Sequence, residues 1–200
     1  MNVLMQARVS TTHTLHLGIL FLVVIGTACG ASKPPTQSTP TKITAAILYP
    51  LRLGSVWSYD VDTGVGLNTL AISRVVGVHG TRAEVGAGST PVAYEVTNAG
   101  IWRADGTGWL LRNPIVRGAT WQSPIGRAKV LSMWRSIDTP AGRFAHCTQV
   151  RETSADLSRR VDTIYCPTVG PVFIDSQMEM KISGQSTRVT ARLLGFDFSK

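Results

Sequence analysis

The chain has 200 residues, 44% of them apolar, with a formal net charge of +8 and three cysteines. That length and apolar share exclude a wholly disordered or fibrous chain and fit one globular domain carrying an unstructured extension. The positive charge comes mostly from arginines scattered between Arg52 and Arg192 with no dense block, which excludes a compact basic tail and reads as a solvated surface.

In chain order, residues 1–28 read as an export signal. Arg8 supplies the positive end, residues 17–25 form a mainly apolar run well short of the ~20 residues a spanning helix needs, and Gly26, Thr27 and Ala28 follow. The stretch Ile25-Gly26-Thr27-Ala28-Cys29 resembles the lipobox of bacterial lipoproteins, with Gly26 where an aliphatic residue is usual. The resemblance implies that Cys29 is diacylated as the mature N-terminus, and that a chain with Gly30 after the cysteine goes on to the outer membrane where one exists. The competing reading is secretory cleavage near Ala31, which removes Cys29 or leaves it free. Residues 29–45 are poor in large apolar groups and rich in Pro, Ser and Thr. Such a run cannot bury enough surface to offset its ordering entropy, so it is expected to be a disordered tether for a domain spanning residues 46–200.

From about Ile47 onward, short runs rich in Val, Ile, Leu, Thr, Trp and Tyr alternate with Gly, Asp and Asn, and no stretch sustains a helical period. Strands are expected at residues 56–61, 67–78, 82–85, 93–97, 101–104, 109–112, 128–137, 144–152, 160–166, 172–176 and 187–196. Residues 177–182 give one more strand or a short helical piece. The fold class is therefore all-β: an antiparallel, strongly curved sheet, or a partly closed barrel or sandwich. Pro50, Gly54 and Trp57 are spaced as Pro114, Gly118 and Trp121 are, and this echo suggests a sheet built in two halves.

The segment Asp138-Thr139-Pro140-Ala141-Gly142 reads as a hairpin turn. If the next turn is centred between Asp156 and Leu157, Cys147 falls opposite Cys166 and Arg151 opposite Asp162. One register thus places a disulfide and an ion pair together, and an exported compartment favours the oxidised form. A metal set that adds His146 does not form, because adjacent strand residues point to opposite faces.

A second resemblance covers roughly residues 48–195. Tyr49-Pro50-Leu51, Gly54, Trp57 and Tyr59 open it; Pro140-Ala141-Gly142, Phe144 and Cys147 follow; Tyr165, Pro167 and Gly170 close it. These phrases, in this order, resemble an uncharacterised family of bacterial secreted and lipid-anchored proteins. The resemblance implies a β-rich envelope domain of unsettled role and transfers no catalytic residue.

Candidate sites are few. Trp57, Trp102, Trp109, Trp121 and Trp134 are either distributed core or the lining of an apolar pocket. His79 sits before Gly80 in an apparent turn, and with His146 the domain holds only two histidines for acid–base work. Asp60 and Asp62 share a strand face but run into the turn Asp62-Thr63-Gly64. Gly88-Ser89 and Gly184-Gln185-Ser186 lack the setting of a nucleophile elbow. Arg159 and Arg160 could gather with Arg135, Arg188 and Arg192 into a patch for anionic lipid headgroups or glycans. The expectation is a non-enzymatic, lipid-anchored interaction or assembly module without metal or cofactor, bound to the membrane through Cys29 and to an envelope protein, and not to nucleic acid. The alternative is a carrier or sensor of an apolar ligand held in a sheet-lined pocket.

Overall fold

The computed structural model describes residues 42–156, 158–179 and 185–198. The signal, Cys29 and nearly all of the tether lie outside the described residues, as does Leu157 in the expected turn. One helical turn, α1 (Ala45–Leu48), precedes β1 (Val56–Asp62), β2 (Thr69–His79), β3 (Arg82–Gly86), β4 (Val92–Thr97), β5 (Gly100–Arg103) and β6 (Trp109–Arg112). There follow β7 (Thr120–Ser123), β8 (Gly126–Thr139), β9 (Gly142–Thr153), β10 (Arg159–Cys166), β11 (Gly170–Glu179) and β12 (Ser186–Asp197).

The twelve strands of the described residues belong to one antiparallel sheet in the order β6-β5-β4-β3-β2-β1-β12-β11-β10-β9-β8-β7. Apart from the β1–β12 pair, every neighbour is adjacent in sequence, so two six-stranded meanders are joined along β1 and β12. The free edges, β6 and β7, are also consecutive in the chain, and the sheet curls until they meet in a nearly closed barrel. No backbone ladder joins this seam. Instead Trp121 Nε1 donates to the Trp109 carbonyl at 3.0 Å. Gly108 lies so close to β7 that a Cβ there would stand 2.6 Å from the Ser123 carbonyl carbon.

The interior is filled by Trp57, Val75, Ile101, Leu111, Val130, Val150, Val172 and Leu193, all at most 2% exposed. Large apolar side chains at alternate strand positions produce this filling, because successive side chains leave opposite faces of the sheet. α1 touches β5 and β11, which stand six places apart in the ring, so the turn crosses the barrel. Thr44 caps it by accepting from the Ile47 amide at 3.3 Å. Asn113 Oδ1 accepts from the Ala45 amide at 2.9 Å, and the Ile47 carbonyl accepts from the Thr168 amide at 2.7 Å.

The expected strands are present, with four corrections. Ile43 and Ala45 are buried, so packing begins inside the span assigned to the tether and ahead of Ile47. β7 was not among the expected strands, since four residues with two small hydroxyl side chains carry little pattern. β11 runs unbroken from Gly170 to Glu179, so residues 177–179 continue a strand rather than start another piece. The β8–β9 turn narrows to Pro140 and Ala141, because β8 extends to Thr139 and β9 opens at Gly142.

The sequence echo has a structural counterpart. Gly54 and Gly118 both adopt left-handed φ, +79° and +87°, a conformation that favours glycine. The Gly54 amide bonds the Val75 carbonyl, Ser55 bonds Arg52, and Val75 bonds Ser55. Gly118 bonds Val130, Ala119 bonds Val116, and Val130 bonds Ala119. The three bonds repeat position for position, and a bulge follows Val75 in β2 and Val130 in β8.

Candidate functional site

The sequence-predicted residues fall into three environments: the barrel interior, the strand ends, and the outer wall. Cys147 and Cys166 are joined as a disulfide and are fully buried. The register that aligns them also pairs Arg151 with Asp162. Cys29 lies outside the described residues.

The five tryptophans do not converge. Trp57 and Trp121 are core, each tied by its indole N–H to a backbone carbonyl: Trp57 to Val169 at 2.6 Å, Trp121 to Trp109 at 3.0 Å. Trp102 and Trp109 pack edge to face across β5 and β6, with ring centroids 5.0 Å apart. Trp134 is 52% exposed on the bulged part of β8, edge-on to the His146 ring at 5.6 Å. Trp134 and His146 both hold left-handed φ, +64° and +59°, which a non-glycine residue adopts only where the surrounding structure imposes it. Open clefts lie on the described residues. One, of about 480 Å³, runs past Arg82, Pro91, Ala93, Arg103 and Asp105. Another, of about 470 Å³, lies beside α1 along Lys42, Thr44, Thr97, Asn98 and Asn113. Neither is lined by tryptophan.

The strand-end candidates serve the turns. Asp62 Oδ1 accepts from the Gly64 amide at 2.7 Å, and Asp60 Oδ2 accepts from Asn68 Nδ2 at 2.9 Å. His79 ends β2 on the surface. Among the described residues, no group of three His, Cys, Asp or Glu side chains is placed to hold a metal ion.

Sequence reasoning missed the polar lining of the interior. All four tyrosines of the chain, Tyr49, Tyr59, Tyr94 and Tyr165, face inward, and burial raises the pKa of each. Tyr59 donates to the Pro171 carbonyl at 2.9 Å. Glu152 also faces inward on β9. Burial pushes its carboxyl above the ordinary value, and the Ser123 hydroxyl and Arg159 charge pull it partway back. The alternation of β9 around buried Val150 was the available signal, since it places residue 152 on the same face.

The outer wall holds the strongest electrostatics. Arg151 grips Asp162 with two parallel bonds, Nε to Oδ1 and Nη2 to Oδ2, each 2.8 Å. Arg188 grips Asp175 the same way at 2.9 Å. Such fork-on-fork pairs are the strong form of the arginine–carboxylate contact. Arg160 adds a third guanidinium 3.6 Å from Asp162, and Arg192 stands over the Phe173 ring at 5.8 Å. Arg159, expected in the same cluster, is exposed on the other face of β10, where its charge acts on Glu152.

No family model matches the chain. No curated protein matches it either. Two solved structures resemble it. One is a Bacteroides fragilis protein described as exported with a YmcC-like fold, 16% identical, TM-score 0.45, with 75% of this chain and 98% of that chain covered. The other is a Parabacteroides distasonis protein described as a lipoprotein, 14% identical, TM-score 0.41, with 78% and 100% covered.

Proposed function

We propose that this protein is a non-enzymatic interaction module of the cell envelope, held to a membrane through acylated Cys29. The observation that supports this reading is the filled interior. Trp57, Leu48, Leu111 and Leu193 occupy the space in which a carrier would house an apolar ligand, so recognition falls to the outside of the barrel. That outside is unusually apolar in places: Leu67 in the β1–β2 connection is 92% exposed, and Leu70 and Ile72 on β2 are 64% and 51% exposed. Exposed aliphatic groups of this size commonly mark contact surfaces.

Two measurements test the proposal. Cys29→Ser should release the protein from the membrane fraction, and continued membrane association would remove the acyl anchor. A native pull-down from detergent-solubilised envelopes, analysed for proteins and lipids, should return a macromolecular partner. Recovery of one apolar molecule per chain instead would establish the carrier reading.

A further inference from the structure

The strand register gathers arginines that are scattered in sequence. On the outer wall, Arg127, Thr153, Arg160, Gln177 and Arg188 stand directly opposite one another across β8, β9, β10, β11 and β12. In the next row, Lys129, Arg151, Asp162, Asp175 and Thr190 do the same. Arg192 joins the third row through Phe173. Glu179 follows Gln177 on the same face of β11, and Asp60 of β1 stands opposite Arg192, while the rows themselves carry six cations, Arg127, Lys129, Arg151, Arg160, Arg188 and Arg192, against the two carboxylates of Asp162 and Asp175. Those carboxylates are already consumed by Arg151 and Arg188. Among the described residues, Arg127, Lys129 and Arg192 make no ion pair, and all three are exposed.

We propose that the outer wall of β8–β12 binds an extended acidic polysaccharide, laid across the strands along the Arg127–Arg160–Arg188 row. Three features favour that polymer. Alternate strands are about 9.6 Å apart at ordinary sheet spacing, so the row repeats a cation at an interval comparable with the advance of a disaccharide along an extended glycan. Between the arginines stand Thr153 and Gln177, a hydroxyl and an amide suited to sugar hydroxyls, while the guanidinium of Arg127, which makes no ion pair, suits carboxylate, sulfate or phosphate groups, and Arg160 and Arg188, each paired with an aspartate, add positive charge along the row. The wall spans five of twelve strands in a ring and is convex. A flexible chain can follow it, whereas a flat bilayer touches only part of it. Single-stranded nucleic acid needs rings on which bases stack, and the ring within the rows, Phe173, lies under Arg192.

The choice of a glycan rests on the envelope location proposed above; the cationic rows do not. The test uses the full chain in mild detergent, with binding to polygalacturonate measured against a neutral glucan, anionic phospholipid vesicles and single-stranded DNA. The expected result is polygalacturonate binding that falls steeply with salt, no binding of the neutral glucan, and weaker binding of vesicles and DNA. The triple variant Arg127→Ser, Lys129→Ser, Arg192→Ser should lose about tenfold or more in affinity, in line with removing several counterion-releasing contacts, while its thermal unfolding stays unchanged. The control Arg74→Ser, Arg82→Ser, Arg112→Ser removes equal charge from the other half of the barrel and should bind as the parent does. Equal loss in both triples would show that net charge, not this wall, governs binding. Absent polygalacturonate binding at low salt, or tighter binding of vesicles or DNA, would overturn the proposal. Membrane release of Cys29→Ser is read separately, so failure of the anchor and failure of the wall are distinguishable.

Discussion

Glu152 is the side chain most at odds with its surroundings. It projects inward beside Tyr94 and Tyr165, where burial disfavours its charge. Because its folded pKa lies above the ordinary 4.5, the folded state holds the proton more tightly than the unfolded state does. Its burden on stability is absent below pH 4.5 and grows as pH rises through the folded pKa. Glu152→Gln should therefore raise the denaturation midpoint at pH 8 and leave it nearly unchanged at pH 4; a variant no more stable than the parent at pH 8 would refute this account. The neighbouring pair Arg159 and Arg160 shows what residue type alone could not convey. As adjacent strand residues they face opposite ways, so exposed Arg159 acts on Glu152 only through its charge, while Arg160 meets Asp162 on the outer wall. Of the expected cluster of five arginines, Arg160, Arg188 and Arg192 stand on one wall, Arg135 donates to Gln149 Oε1 at 2.6 Å from β8, and Arg159 lies on the other face.

At the level of elements, the β9–β10 pairing was legible because two independent constraints coincide: one register satisfies the Cys147–Cys166 bridge and the Arg151–Asp162 pair at once. The bridge closes a loop with a sequence separation of 19. Breaking it with Cys147→Ser plus Cys166→Ser should lower unfolding free energy by about 3 kcal/mol on the loop-entropy account, measured by denaturant titration. A loss under about 1 kcal/mol would mean that the unfolded chain is already confined in that region. α1 and β7 escaped sequence reasoning because each has only four residues: α1 is fixed by partners distant in sequence, whereas β7 pairs locally with β8 and, unlike the equally short β5 and β6, carries two small hydroxyl side chains among its four positions. α1 depends on Asn113 and Thr168. The doubled turn at Gly54 and Gly118 was visible as a spacing of Pro, Gly and Trp, yet the bulges it feeds at Val75 and Val130 were not, because a bulge is a property of the pair of strands.

Closure of the barrel is a property of the whole molecule, and no local pattern announces it, since β6 and β7 meet through an indole and a glycine rather than a ladder. Trp121→Phe keeps the aromatic bulk and deletes the donor to the Trp109 carbonyl. Amide exchange in β6 and β7 should then accelerate while β10 and β11 stay protected, and uniform acceleration would show that the seam opens only with global unfolding. The same closure determines how the interior ionises. All four tyrosines lie within it, and burial raises each phenol above its ordinary value of 10. A phenol with a raised folded pKa contributes stability that is complete below pH 10 and is lost as pH rises beyond it, because the unfolded chain then ionises and the folded chain does not. Phenolate absorbance should thus be nearly absent from the native protein at pH 10.5 and strong in the guanidinium-unfolded protein at that pH. Raising the pH further should bring the absorbance in together with loss of near-ultraviolet circular dichroism, as one cooperative step. A gradual rise in native phenolate near pH 10 with the dichroism intact would mean that water reaches the tyrosines, and that the interior is an open chamber rather than a filled one.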